Sequence, residues 1–131
     1  MGSMLYAATS ARAKSSNFEL WSWLFMRISG VALLLLVLIH LAIMHLFQPI
    51  SNVTFDFVAG RWSIPAWRWY DLGLLWLALI HGMNGARIVS DDYIHGRVAR
   101  LVTMTTLYVV GFVFLLVGSQ VILSFQPTST P

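Results

Sequence analysis

Three long apolar runs, separated by short polar stretches, set the pattern of the chain. The first begins around Trp21 and continues to Phe47, broken chiefly by Arg27, Ser29, His40 and His45. The second runs from about Trp67 to Ser90 and the third from about Leu101 to Phe125. About 20 apolar residues suffice to carry a helix across a ~30 Å hydrocarbon core, so each run is long enough to span with some tilt. The pattern predicts an all-α integral membrane protein with three transmembrane helices, forming one membrane domain over residues 1–131. Residues 1 to about 20 read as a polar tail, without the apolar core and small-residue cleavage site of a signal peptide. Residues 48–66 read as a connecting loop, opened by Pro49 after the first span. Trp62, Trp67, Trp69 and Tyr70 cluster beside it, and such rings favour the headgroup level.

Composition strengthens this reading. Of 131 residues, 58% are apolar and 10% charged, against about 25% charged in soluble domains. A chain this short cannot bury so much apolar surface within itself, so lipid must cover part of it. The net charge of +3 does not indicate a nucleic-acid binder, because the Lys and Arg residues are scattered and not gathered into a stripe. Cysteine is absent, which excludes disulfides and Cys-ligated zinc or iron–sulfur clusters within the chain. Histidine is then the ligand type at hand for redox chemistry.

The basic residues also predict orientation. Arg12, Lys14 and Arg27 lie toward one face with Arg87, Arg97 and Arg100, while Arg61 and Arg68 lie toward the other. By the positive-inside rule the N-terminus is expected in the cytoplasm and the C-terminus outside.

Ionisable groups within lipid cost about 2.5 kcal/mol or more on insertion scales and mark candidate sites. The set read from the spans is Arg27, His40, His45, His81 and Arg87. His81 lies near the middle of the second span, followed by Gly82 and Gly85, which leave room for a flat group or a close helix. Asp92, eleven residues on, returns to within about 20° of the His81 direction, and Tyr93 lies ~18 Å along the axis. That spacing suits a cofactor at mid-depth and a polar-headed, lipid-soluble ligand at the surface. Imidazole is a standard axial ligand of haem iron and needs no cysteine. A hydrogen bond to a neighbouring helix is the alternative reading of His81. His40 and His45 stand about 140° apart, so they cannot act on one face together.

The segment HGMNGARIVSDDY, residues 81–93, resembles the second helix of the small D-type anchor subunit of succinate dehydrogenases. His81, Gly85, Asp92 and Tyr93 match the positions of that pattern, and MRISGV, residues 26–31, resembles the Arg-x-Ser-Gly start of helix one in the cytochrome-b anchors. The resemblance covers essentially the whole chain. It implies a multi-helix anchor bundle in the inner (plasma) membrane that binds haem b through His81, with the second axial ligand supplied by a C-type anchor subunit. It further implies a quinone site, for ubiquinone or menaquinone, at Tyr93 and Asp92, with Ser29 a weaker candidate there. A phenol suits a quinone carbonyl because it donates a hydrogen bond without carrying charge. The less favoured alternative for Asp92 is a solvated helix-end charge.

Arg27 and Arg87 are candidates for haem propionates, with snorkelling to headgroups as the alternative. Arg87 points about 120° away from His81. One of His40 and His45 is a candidate ligand for a second haem, as in two-haem relatives, with helix contact or the aqueous boundary the favoured alternative. Flavin and iron–sulfur clusters would belong to flavoprotein and iron–sulfur partner subunits, where succinate is oxidised in respiratory complex II. A fumarate reductase anchor, a haem-free anchor and a proton-relay subunit using His81, Arg87 and Asp92 are the competing functions.

Overall fold

The computed structural model describes residues 2–47 and 49–126. Its elements are helices α1 (Gly2–Leu41), α2 (Phe55–Trp62), α3 (Pro65–Tyr93) and α4 (Arg97–Ser124). A π-helical turn over Ala42–Leu46 continues α1, and a short 3₁₀ turn covers Ile50–Asn52. Three segments are long and apolar enough to cross a membrane: Asn17–Leu46, Pro65–Tyr93 and Arg97–Ser124. At ~1.5 Å per residue each exceeds 40 Å, ample for the hydrocarbon core and part of both headgroup layers. Among the described residues there is no strand.

Two details depart from the sequence reading. The helix containing the first span starts well before Trp21, within what reads as a polar tail. The 48–66 loop is also partly helical. Thr54 caps α2, its hydroxyl accepting from the Phe57 amide at 3.3 Å, and Asp56 sits in the first turn, where the helix dipole favours an anion. Pro65 at the first turn of α3 has no amide to leave unpaired and restarts the helix.

Helix α3 is the middle of the bundle, packed by α1 on one side and α4 on the other. On the α1 side it presents His81, Asn84 and Gly85, which meet Ser29, Ser22 and Met26. Roughly opposite on the helix wheel, it presents Leu75, Trp76 and Met83 to α4. The α3–α4 approach depends on glycine. A Cβ at Gly111 would overlap the Met83 side chain, and one at Gly118 would lie 2.8 Å from Leu75 Cδ2. Small residues of this kind let membrane helices close on one another where apolar burial supplies no drive.

Little is sealed inside. Among the described residues Ala59, Ile122 and Ser29 are the buried apolar and polar side chains, while Leu34, Leu35, Val110, Phe112, Phe114 and many like them are exposed. Apolar surface on this scale needs lipid or protein around it.

Candidate functional site

At mid-depth, α1 and α3 bring a serine and a histidine together. Ser29 Oγ and His81 Nδ1 are 2.7 Å apart and share a hydrogen bond. Ser29 is 3% exposed, and its hydroxyl also reaches the Phe25 carbonyl at 2.5 Å and that of Met26 at 3.4 Å. The His81 ring edge faces Gly30 of α1, where an added Cβ would stand 3.5 Å from its Cε1. Gly82 is open, with nothing within 4 Å of where a Cβ would be.

One turn toward the C-terminal end of α3, a second polar group spans the same two helices. Asn84 Nδ2 donates to Ser22 Oγ at 3.1 Å, and Arg87 donates to Asn84 Oδ1 at 3.2 Å and to Ser22 Oγ at 3.4 Å. Arg87 therefore serves a neighbouring helix, in keeping with its direction away from His81. Its guanidinium also lies 5.7 Å from the centre of the Phe18 ring. Ser22, Asn84 and Phe18 line an apolar cleft of about 380 Å³ between α1, α3 and Tyr108 of α4. Arg27 takes the other flank of α1: it is exposed and stacks over Trp23 at 4.2 Å.

Asp92 and Tyr93 end α3, and both are exposed, Tyr93 at 80%. Asp91 next to them is paired with Arg100 at 2.8 Å. Ser29 and Tyr93 thus differ by ~18 Å in depth, because Ser29 stands level with His81. The structure brings Ser29 to His81 and leaves the Asp92–Tyr93 pair at the membrane edge.

The opposite end of the bundle carries a group that the sequence reading missed. Asp71, in the first turns of α3, accepts from Arg61 at 2.7 Å and from Trp62 Nε1 at 2.7 Å. His40 Nδ1 lies 3.4 Å from the same carboxylate, an electrostatic contact and not an aligned hydrogen bond. The His40 ring stacks on Tyr70 at 6.4 Å between centres, and the Tyr70 hydroxyl donates to the Leu36 carbonyl at 2.5 Å. Arg61 is 7% exposed and additionally faces Met44 Sδ at 3.0 Å and the Trp67 ring at 4.8 Å. Asp71 pins α2 onto the end of the bundle. A carboxylate inside the second apolar run was a signal in plain view, but its partners lie on other elements. His45, by contrast, is exposed in the π-helical turn.

Among the described residues no cluster of three or more His, Asp or Glu side chains is placed to hold a metal ion. A haem asks less of a chain, since one imidazole supplies one axial position and the porphyrin supplies four. His81 fits that role chemically: a neighbouring hydroxyl holds one ring nitrogen and the other remains for iron.

Comparison with known proteins agrees with this architecture. Residues 7–119 match the family described as succinate dehydrogenase/fumarate reductase transmembrane subunit. The chain is 29% identical over 99 residues to succinate dehydrogenase 2 membrane subunit SdhC of Mycobacterium tuberculosis, covering 74% of this chain and 69% of that protein. That relative carries the letter C, whereas the motifs liken the chain to a D-type anchor; the family description uses neither letter. Three membrane-crossing helices and a match over most of the length lead to one conclusion: the chain belongs to the succinate dehydrogenase/fumarate reductase transmembrane subunit family, as a membrane anchor of such a complex.

Proposed function

We propose that this anchor binds haem b jointly with a second anchor subunit and helps to form the site where quinone is reduced, in a succinate:quinone oxidoreductase. The observation that carries the reading is His81, an imidazole at mid-depth with Nδ1 engaged by Ser29. Haem bound there would supply a one-electron carrier between the two membrane faces. The chain's own part is to offer Nε2 of His81 as one axial ligand, the second coming from the partner anchor. Arg27 and Arg87 are the proposed propionate partners; Arg27 is exposed for such a contact, whereas Arg87 would exchange Asn84 and Ser22 for it.

Tyr93 and Asp92 are the proposed quinone contacts. Their exposure at the end of α3 is what a site completed by an iron–sulfur subunit requires. Succinate chemistry would reside in that subunit and a flavoprotein. The positive-inside bias supports a cytoplasmic side for Tyr93, Arg97 and Arg100, with the N-terminus.

A dithionite-reduced minus oxidised spectrum of the purified complex, with haem counted per copy of this chain, tests the haem reading. One b-type haem per copy is expected. Two would bring in His40 or His45 as a distal ligand, and none would overturn the reading.

The quinone reading has its own test. Tyr93→Phe is expected to slow succinate-driven quinone reduction about tenfold, the factor carried by one hydrogen bond of about 1.4 kcal/mol. Succinate oxidation with an artificial acceptor should be unchanged, and equal loss in both assays would rule against a quinone role for Tyr93.

A further inference from the structure

We propose that Ser29 is a positioning residue for His81, holding the imidazole as its Nδ1–H tautomer so that Nε2 is the ligand nitrogen. The inference deepens the haem reading above and rests on it.

The argument is a count of protons. A serine hydroxyl has one hydrogen and two lone pairs. Ser29 Oγ lies 2.5 Å from the Phe25 carbonyl oxygen, 3.4 Å from the Met26 carbonyl oxygen and 2.7 Å from His81 Nδ1. A carbonyl oxygen has no proton to give. Two oxygens at 2.5 Å with no hydrogen between them would repel, so the hydroxyl proton lies on the line to Phe25. This is the back-bond to residue i−4 that helical serines commonly make. The oxygen then meets Nδ1 with a lone pair, and Nδ1 must be the donor. A neutral imidazole protonated on Nδ1 carries its free lone pair on Nε2. The chain of donors runs from His81 Nδ1–H to Ser29 Oγ–H to the Phe25 carbonyl.

Position reinforces the assignment. Ser29 is nearly inaccessible at 3% exposure, so water does not compete for Nδ1 from that side. The Cε1 edge of the ring faces Gly30 of α1, where an added Cβ would stand 3.5 Å away. Three consequences meet at one side chain: the tautomer, the ring orientation and stronger electron donation from Nε2 to a bound metal. Ser29 acts entirely through His81, ~18 Å in depth from Tyr93.

The test uses the whole purified complex with Ser29→Ala and Ser29→Thr, measuring haem content and the haem midpoint potential by redox titration. Threonine keeps a hydroxyl able to bond the i−4 carbonyl. In Ser29→Ala the imidazole loses its acceptor and becomes a poorer donor to ferric iron, so the potential should move positive and haem affinity should fall about 10–100-fold. Ser29→Thr should restore both toward the wild-type values. An unchanged potential and affinity in Ser29→Ala overturns the proposal, as does the same loss in both variants, which would mark a packing effect. A wild-type complex without haem fails differently, because it removes the reading on which the proposal stands before either variant is compared.

Discussion

His81→Ala should strip the b-type haem signal from the assembled complex while leaving the chain in the membrane. Loss of an outer partner alone weakens metal affinity about 10–100-fold, and loss of the ligand itself must cost at least that. The fold has little at stake in the same change. The interhelical bond from His81 to Ser29 is one contact among many along α1 and α3, and such bonds in bilayers average about 0.6 kcal/mol. Ser29 keeps the Phe25 carbonyl as its acceptor, so no buried donor is orphaned. Haem per chain and chain per membrane, measured on one preparation, separate the two effects. Full haem content in the variant would mean that the iron is held elsewhere, with His40 and His45 the next residues to change.

Asp71→Leu should be the most damaging single change away from His81. Arg61 is 7% exposed and Asp71 is its ionic partner at 2.7 Å, so the substitution strands a buried charge. Removing one member of such a pair costs about 3–5 kcal/mol. Trp62 Nε1 loses its acceptor in the same step, which leaves a second polar group unpaired. The expected readout is a clear fall in the thermal denaturation midpoint of the detergent-solubilised complex. The double change Arg61→Met with Asp71→Leu removes both charges and should recover much of that loss, because a buried pair replaced by apolar side chains is often near neutral. If the double variant is as unstable as Asp71→Leu alone, the cost does not come from the stranded arginine. Tests of His40 as a ligand should keep Asp71 intact, since the two side chains share one environment.

Membrane residence and the number of spans were legible in the sequence because they follow from one-dimensional quantities. A run of apolar residues long enough to cross a bilayer must satisfy its backbone internally, and within one chain a helix does so. Helix α4 shows how little else was needed, since its apolar run, about Leu101 to Phe125, maps onto Arg97–Ser124 with a shift of four residues at the start and one at the end. The 48–66 segment was harder. Its Pro, Gly and polar residues look like a loop, and α2 is stabilised there by its Thr54 cap and by Asp71, a residue of the next helix.

The candidate site divides along the same line. His81 stood out because a histidine in mid-span is costly wherever its neighbours lie, and the Asp92–Tyr93 pair shares its element, so helical geometry alone related them. Ser29 and His81 are 52 positions apart and meet only because α1 and α3 pack antiparallel. The same holds for Ser22 with Asn84 and Arg87, while Asp71 meets Arg61 and Trp62 because α2 packs against α3. Pattern and composition were sufficient for what the bilayer dictates, since solvent transfer acts on each residue nearly independently. Which polar groups satisfy one another, Ser29 with His81 among them, was decided by tertiary packing, because hydrogen bonds act over about 3 Å and no helical period brings those residues within it.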